Sequence, residues 1–481
     1  MPTTNLPHPT FEPRGTVVQA GKSGGMPRPS LIQESETSRQ LRWVIVVGFV
    51  LLTARILNVA VTYKPNEIPK RPERSRAMLS ANDRSRWCTV RSLVEQKTFQ
   101  IDDIAAQRGW NTIDKVYKDG HYYSSKPPFL SVLVAAAYWP CYRIIGWDLL
   151  NENLFLVRSF LILYQGIPLL IGWLLMARII DQEARTEFAK QYGVLALVYG
   201  SFLTTFGITL NNHVPAACGL MFAIWNVWRI LNDDGGGRGA NYFWGGFWCA
   251  FTACCELPAT LMIVLIGLWM LCRSGKRTLL YFVPGLLLPL GFFVLTNYLA
   301  TGSWKPFYTG FGTELYNYTV NGKPSYWTNP QGIDRSQDSF PVYLFHCLLG
   351  HHGLISLTPV TLLTIWSWRR GSAGASSGLK LLNRISLAAT VIVLAFYMTR
   401  TQSYNYGGMT CGLRWMFWLI PLWILGMLPT LDRYASHAGF RIFSGICLAV
   451  SVFSVHWEGT NPWRHPWIFV WLEQWGWISY K

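Results

Sequence analysis

The feature that most constrains this chain is a series of long apolar blocks with very few charged residues. Of its 481 residues, 51% are hydrophobic and only 14% are charged. A block of about 18 or more apolar residues is long enough to cross a bilayer as a helix. Inside lipid, backbone polar groups must be satisfied within the segment itself, which favours helices. The clearest blocks are roughly 41–61, 153–177, 191–210, 214–231, 278–299, 382–398 and 414–431.

These blocks predict an all-α protein, namely a polytopic bundle of about 11 transmembrane helices with interfacial helices in its first outer loop. Tryptophans lie near the ends of several blocks, which is typical of residues at the interface between water and lipid. We predict a disordered cytoplasmic tail at 1–40, a transmembrane domain at 41–456 and a Trp-rich outer tail at 457–481.

Charge and cysteine content exclude several classes of protein. The net charge is +17, but the basic residues are spread through many short loops rather than gathered in one patch, so we expect no nucleic-acid partner. The ten cysteines include no CxxC pair and no His/Cys spacing suited to zinc. There is neither a GxxxxGK[ST] loop nor a GxGxxG motif, which argues against a nucleotide-driven pump.

The segment 127–146 decides the predicted topology, because it is apolar but is predicted to be broken by Pro140, and it carries Arg143. If it lies along the membrane surface or re-enters it, the short basic loops all fall on the side of the N-terminus, as the positive-inside rule requires. We therefore predict a cytoplasmic N-terminus and outward-facing segments. These segments are 62–152, 300–353, 399–413 and the tail from 457.

Another prediction concerns 242–272, where Pro258 interrupts the apolar run. Proline removes a helix hydrogen bond, so this segment is expected to form two short helices hinged at 255–258.

Asp83 is the first residue that could carry chemistry. It begins an amphipathic stretch in the first outer loop and falls in the first turn of a predicted helix. One interpretation is an acid that caps the helix or complements its dipole. A carboxylate at the bilayer surface is also suited to act as a base toward a lipid-linked substrate. The sequence leaves both interpretations open.

Lys126 is the second such residue. It follows the aromatic pair Tyr122 and Tyr123 and precedes Pro127 and Pro128, at the start of the interfacial segment. A lysine at this depth can extend its amine to the membrane surface without any ligand. It can equally bind a phosphate at headgroup level, since its ammonium is a point charge on a chain stiffened by two prolines.

The order of these features resembles the GT-C superfamily of polyprenyl-phosphate-dependent glycosyltransferases, which includes protein O-mannosyltransferases and the bacterial lipid A aminoarabinose transferase. Its members have an acid early in the first outer loop, a Tyr-rich turn ending in Lys-Pro-Pro and an arginine early in the next helix. Asp83, Tyr123 with Lys126, and Arg158 match that order. The resemblance implies that Asp83 is the catalytic base or orients the acceptor. It also implies that Lys126 binds the lipid phosphate of the donor and that Tyr123 and Arg158 contact substrate.

The stretch 404–414 is similar to a second GT-C signature, WGG-x-x-x-G-x-R, which stands before a late helix. Arg414 could bind an anion there, or it could anchor a flexible turn at the membrane. The segment 350–359 is also similar to one in such proteins. We do not expect His351 and His352 to ligate a metal, since neighbouring residues on a helix point about 100° apart.

One departure from the family pattern lies at the outer start of the fourth helix. Many members carry a second acid there, whereas this chain has Asn211, Asn212 and His213. These side chains can bind a sugar hydroxyl or move a proton, but they do not replace a carboxylate as a ligand of a divalent metal. We therefore expect no cofactor. A buried polar cluster without catalytic use is the alternative, and Glu256 is interpreted as structural.

These observations and the resemblance imply an inverting membrane glycosyltransferase, set in the bacterial inner membrane as a multi-pass protein. It would transfer a sugar from a polyprenyl-phosphate donor to an acceptor on the outer face, which could be a glycan, a lipid or a protein. One alternative is a secondary transporter, which would have internal repeats and ionisable residues in mid-helix. The other is a non-catalytic assembly protein that retains the fold, which the missing second acid keeps open.

Overall fold

The computed structural model of the chain describes residues 36–59, 78–151, 153–233, 235–335, 338–370, 372, 374–400 and 405–480. Helices make up most of this part, and the strands within it form only two short hairpins. The all-α prediction is therefore confirmed. Residues 1–35 of the predicted tail and residues 62–77 of the first loop lie outside the described residues.

The first half of the chain contains a loop region between its first two long helices. Its elements are α1 (Glu36–Asn58), α2 (Ala81–Arg91), α3 (Asp102–Ala106), β1 (Lys115–Lys118), β2 (His121–Ser124), α4 (Pro128–Pro140), α5 (Asn153–Leu161), α6 (Ile167–Glu183), α7 (Glu187–Val198), α8 (Leu203–Phe206) and α9 (His213–Leu231). A π-helical turn extends α2, another extends α4, and a third joins α5 to α6.

More residues are helical in the second half of the chain, which also contains one short β-hairpin. Its elements are α10 (Gly239–Cys255), α11 (Thr260–Arg273), α12 (Gly275–Arg277), α13 (Val283–Thr301), β3 (Thr319–Val320), β4 (Lys323–Pro324), α14 (Phe340–Leu348), α15 (Leu354–Leu357), α16 (Thr361–Arg370), α17 (Ser377–Met398), α18 (Ile420–Tyr434), α19 (Ala438–Trp457) and α20 (Trp467–Gln474).

Eight helical segments of the described chain are long and apolar enough to cross a membrane. They leave many large apolar side chains exposed, such as Val50, Leu287 and Ile446, as expected where lipid rather than protein is the neighbour. The chain is an integral membrane protein. The eight segments are Glu36–Asn58, Pro128–Ile145, Leu154–Glu183, His213–Leu231, Gly275–Thr301, Ser377–Met398, Arg414–Tyr434 and Ala438–Trp457.

The block 191–210 does not form the single helix that its composition predicts. Helix α7 ends at Val198, and only the short helix α8 follows before α9 begins. Hydroxyl groups bind carbonyls at this break: Ser201 Oγ donates to Leu197 O at 2.6 Å, and Thr204 Oγ1 donates to Ser201 O at 2.9 Å. Such side chains offer the backbone an alternative to the helical pattern, which an apolar average does not detect.

Two further predictions concern proline. The hinge in 242–272 is confirmed, since α10 ends at Cys255 and a short 3₁₀ turn leads into α11. Pro140, by contrast, does not break the segment 127–146, which continues as a helix to Ile145. A π-helical turn follows Pro140 and keeps the segment helical where the proline has no N–H to donate.

Outside the long helices, the hairpin of β1 and β2 packs on the segment that follows α13. The backbone N–H of Tyr117 donates to Leu315 O at 3.1 Å, and the indole of Trp327 donates to Ile113 O at 2.9 Å. The hairpin also lies against α2, since the Ser85 hydroxyl is 2.6 Å from that of Ser124.

Glycines let α10 and α13 approach more closely than any other residue would. A Cβ on Gly246 would overlap the carbonyl oxygen of Phe282, and a Cβ on Gly285 would overlap that of Phe243. Small residues are favoured at helix contacts in membranes because dispersion contacts grow as the backbones come together.

We predict that Gly246→Ala and Gly285→Ala each lower the free energy of unfolding by about 1–3 kcal/mol, because the added methyl group must push two backbones apart. Gly291→Ala is the matched control, since it lies in α13 with open space around its Cα. The control is expected to be neutral or slightly stabilising. Thermal midpoints in one detergent would compare the three variants, and equal midpoints would contradict the close contact.

Candidate functional site

Helix α2 begins with a buried capping box built on Ser80 and Asp83. Asp83 Oδ1 accepts hydrogen bonds from Ser80 N at 2.8 Å, Ser80 Oγ at 3.0 Å and Arg84 N at 3.0 Å. Its Oδ2 accepts from Leu79 N at 3.1 Å and from Thr209 Oγ1 at 2.9 Å. Both oxygens are therefore occupied by protein donors. This geometry favours the capping interpretation and ties α2 to the segment that precedes α9.

Arg86 follows on the same helix and is only 3% exposed. Its guanidinium donates to Asn212 Oδ1 at 2.5 Å and to Asn82 O at 3.1 Å. Burial lowers the pKa of Arg86 to about 10, with Arg414 adding to this shift and Asp114 opposing it, so Arg86 stays protonated at neutral pH. No role for this arginine is predicted from the sequence, because its partner Asn212 lies 126 residues away and no local pattern connects them.

Lys126 lies directly after β2, and the hairpin places Asp114 beside it. Ser125 N donates to Asp114 O at 3.1 Å across the two strands, and Lys126 Nζ forms an ion pair with Asp114 Oδ1 at 3.1 Å. Burial lowers the pKa of Lys126; Asp114 opposes this shift, and Arg86 and Arg414 add to it. The lysine is thus close to two arginines as well as to its acid.

Tyr123 lies beside Lys126, and its ring packs on Phe307 with 5.5 Å between ring centroids. The two residues share a cavity of about 10 Å³ with Asn297, whose Oδ1 has no hydrogen-bond partner among the described residues. A cavity of this size holds about one water molecule.

The turn before α9 contributes two asparagines with different tasks. Asn211 is fully buried, and its amide donates to the carbonyls of Phe206 and Thr209 while its oxygen accepts from Val214 N at 3.0 Å. Every polar atom of its side chain therefore serves the backbone. Asn212 instead connects side chains, because its oxygen accepts from Arg86 and its amide donates to Glu256 Oε1 at 2.7 Å.

His213 connects Glu256 to Arg414. Its Nδ1 hydrogen-bonds to Glu256 Oε1, and its Nε2 lies 2.9 Å from Arg414 Nη1. A guanidinium can only donate, so Nε2 is the acceptor and the proton of a neutral ring is on Nδ1. Glu256 is 6% exposed and lies in the turn between α10 and α11. Burial raises the pKa of Glu256 to about 8, although Arg414 and Arg86 act in the opposite direction.

Arg414 is held by the glycine-rich loop that precedes it. Its Nε donates to Gly407 O at 3.1 Å, and its guanidinium lies over the ring of Trp463, 5.1 Å from the centroid. Gly407 and Gly408 have φ of 93° and 72°, a region that other residues rarely adopt. A side chain at Gly407 would also crowd Arg414. The first residue of the signature, residue 404, lies outside the described residues.

His351 and His352 support this loop from behind. His352 Nε2 hydrogen-bonds to Thr410 O at 3.0 Å, and His351 Nε2 lies 2.8 Å from the hydroxyl of Tyr480. That hydroxyl in turn donates to Asp338 Oδ2 at 2.8 Å. The two Nδ1 atoms face each other at 2.5 Å. Both Nε2 atoms therefore have hydrogen-bond partners in the chain, which gives the histidines a structural use.

The structure thus brings together residues from five distant parts of the chain. We name this group the polar cluster: it consists of Arg86, Asp114, Lys126, Asn212, His213, Glu256 and Arg414. Asp83, Asn211 and Tyr123 border the group. Arg158 stands apart, since its guanidinium donates to Val59 O at 3.1 Å at the end of α1.

Chemically, the polar cluster offers three cations and two acids at one end of the bundle. Within the described part of the chain, no three His, Cys, Asp or Glu side chains are arranged to hold a metal ion. Sequence reasoning missed Arg86 and Asp114 and took Glu256 as structural. For Glu256 the available signal was a charged side chain inside an apolar run, which is costly unless it is paired or used. Arg86 and Asp114 lie in polar stretches of the first loop, where the sequence carries no such signal.

We predict that Asp83→Ala lowers the free energy of unfolding by about 1–3 kcal/mol, because the amides of Leu79 and Ser80 lose their acceptor. Asp119→Asn is the control: its side chain is 79% exposed, and asparagine tolerates the φ of 51° found there. Denaturation of both variants in the same detergent provides the measurement. If Asp83→Ala unfolds like the wild type, the capping box contributes nothing.

Comparison of the chain with models of protein families finds no match, and neither do comparisons with curated proteins and with solved structures.

Proposed function

We propose that this protein is a membrane glycosyltransferase that transfers a sugar from a polyprenyl-phosphate donor to an acceptor on the outer face. The observation that carries the proposal is the meeting of three cations, Arg86, Lys126 and Arg414, at the end of an apolar bundle. Cations held this close repel one another, so their arrangement favours an anionic ligand.

The hydrogen-bond and ion-pair partners of these cations also favour an anionic ligand. Lys126 has an acid of its own, Asp114. Arg86 and Arg414 are held by Asn212 and His213, and neither arginine forms an ion pair with a carboxylate of the described residues. Guanidinium groups bind phosphate oxygens in pairs of parallel hydrogen bonds. Two such groups beside a lysine suit a phosphate.

A lipid carrier for that phosphate fits the surroundings of the site. Lys126 lies just before α4, whose segment to Ile145 is apolar except for Arg143. A phosphate held at this lysine would have its hydrocarbon chain next to lipid-facing helices. The sequence also contains neither of the nucleotide-binding motifs GxxxxGK[ST] and GxGxxG.

The contacts of α4 support the predicted count of about eleven crossings. Helix α4 runs along α2, since Ser131 Oγ lies 3.4 Å from Arg86 O and Tyr138 hydrogen-bonds to Glu95 at 2.8 Å. If α4 crossed the membrane, the start of α9 would lie on the far side from α2. Asn212 nevertheless bonds to Arg86, which favours an interfacial α4.

Contacts at the other end of the bundle support a cytoplasmic N-terminus. Ser38, near the start of α1, hydrogen-bonds to Asp181 at 2.7 Å, and Lys190 forms an ion pair with Asp181 at 3.0 Å. The start of α1 therefore lies with the basic loop between α6 and α7. This grouping agrees with the positive-inside rule and with an inner-membrane protein in a bacterium.

In this proposal the acceptor oxygen attacks the anomeric carbon, and the phosphate leaves with the electrons of the bond it loses. Arg86, Lys126 and Arg414 would offset the charge that develops on the leaving phosphate. A general base, such as an ionised carboxylate, must take the proton of the acceptor hydroxyl. The family resemblance assigns this step to Asp83, whose carboxylate would first have to release a cap donor or Thr209.

A second candidate is a non-catalytic assembly protein that retains the fold. The full occupation of the Asp83 carboxylate by protein donors favours it. It predicts a cluster that binds a lipid phosphate but transfers no sugar.

We expect Lys126→Ala to lower sugar transfer about 10²–10³-fold, because one donor to the developing charge is lost. The measurement uses purified protein in vesicles with radiolabelled polyprenyl-phosphate sugars and a membrane extract as the source of acceptors. Lys305→Ala is the control, because Lys305 is exposed in the loop after α13. If Lys126→Ala and Asp83→Asn both transfer sugar at the wild-type rate, the site is wrongly assigned. Absence of transfer by the wild type would favour the second candidate.

A further inference from the structure

The polar cluster contains an acid, Glu256, that has no role in the reaction described above. Its backbone N–H donates to Thr252 O at 2.8 Å and so closes the last turn of α10. The following residues turn away in a 3₁₀ conformation, which leaves the side chain directed at the start of α9. The break in the helix thus places a carboxylate at the turn that begins α9.

The two oxygens of this carboxylate are used unequally. Oε1 accepts from Asn212 Nδ2 and from His213 Nδ1. Oε2 accepts no hydrogen bond from any described residue, and it is not one of the fully buried atoms without a partner. Since each carboxylate oxygen has room for about two donors, Oε2 is open to an incoming hydroxyl.

The other acids nearby are less able to accept a proton. Asp83 has five donors on its two oxygens, and accepting a proton would break the cap of α2. Asp114 forms an ion pair with Lys126, and accepting a proton would remove the countercharge of that lysine. Glu256 loses neither a cap nor an ion pair with a lysine or arginine when it becomes neutral.

We propose that Glu256, whose Oε2 is open to an incoming hydroxyl, is the proton acceptor of the transfer reaction. The inference rests on the proposed function. The O–H bond of the acceptor breaks, and its proton passes to Glu256 Oε2. The oxygen forms a bond to the anomeric carbon, and the bond from that carbon to the phosphate oxygen breaks, so the polyprenyl phosphate leaves with the electron pair.

The groups facing Glu256 agree with this role. His213 in α9 hydrogen-bonds to Glu256, and Cys255 precedes it in α10. Positive charge comes from Arg86 in α2 and from Arg414, which precedes α18. A pKa of about 8 leaves roughly a tenth of Glu256 ionised at pH 7, and a base works best when its pKa is near the operating pH.

The test combines rate, binding and pH. With the wild type, kcat for transfer from a radiolabelled polyprenyl-phosphate sugar is expected to rise about tenfold per pH unit up to about pH 8 and then to level off. Glu256→Gln is expected to lower kcat about 10²–10⁴-fold while it binds undecaprenyl phosphate in detergent micelles within about twofold of the wild type. Glu473→Gln, an exposed glutamate in α20, serves as the control with unchanged rate.

Several results would overturn the inference. Glu256→Gln with the wild-type rate would exclude the glutamate as acceptor of the proton. Equal losses of phosphate binding and of rate would assign Glu256 to holding Arg414 through His213. If Asp114→Asn or Asp83→Asn abolished the rise with pH while Glu256→Gln retained it, that other acid would be the base. A wild type that transfers no sugar would overturn the proposed function itself, and this inference with it.

Discussion

A backbone polar group that loses its hydrogen bond within a bilayer costs several kcal/mol, so each interruption of a helix needs polar partners close by. This chain interrupts its helices between α7 and α9 and again between α10 and α11. The first break is satisfied by hydroxyls and by Asn211, whose side chain bonds to two carbonyls and one amide. The polar side chains that the breaks require are thus gathered at one end of an otherwise apolar bundle, and the candidate site is assembled from their neighbours.

Charge is the next constraint on that end of the bundle. Arg86 and Glu256 are both buried and opposite in charge, yet they do not form an ion pair with each other. Asn212 stands between them and accepts from the arginine while it donates to the glutamate. His213 stands in the same way between Glu256 and Arg414. Neutral bridges of this kind satisfy hydrogen bonds without cancelling charge, so each charged group keeps some capacity to bind a ligand.

The sequence was informative where the physics is local and uninformative where it is not. Apolar length predicted the long helices, and Pro258 predicted the hinge that carries Glu256. Composition failed at 191–210, because hydroxyls that bind nearby carbonyls break a helix without changing its mean hydropathy. Spacing within a segment also cannot indicate that Arg86 meets a residue 126 positions away.

In the candidate site too, the sequence predicted local features, whereas contacts between distant residues became clear only from the structure. Both interpretations of Asp83 were open from its place in a first turn, and only the partner Thr209 and the occupied oxygens favour the cap. Binding of an anion was one interpretation of both Lys126 and Arg414, and the structure places Arg414 close enough to lower the pKa of Lys126. Arg158 matched the order of a family motif, but it bonds to the end of α1. Order along the chain is therefore weaker support than convergence in space.

Counting charge in the polar cluster connects the proposed donor with the proposed base. Arg86, Lys126 and Arg414 carry three positive charges, and Asp114 with ionised Glu256 carries two negative charges. A polyprenyl-phosphate sugar is a phosphodiester with one negative charge, so its binding would make the cluster neutral. Transfer creates a phosphate monoester, which carries a charge of about −2 when it is fully ionised. If the proton moves to Glu256, the cluster stays neutral through the reaction, and no charge has to cross an apolar environment before the product leaves.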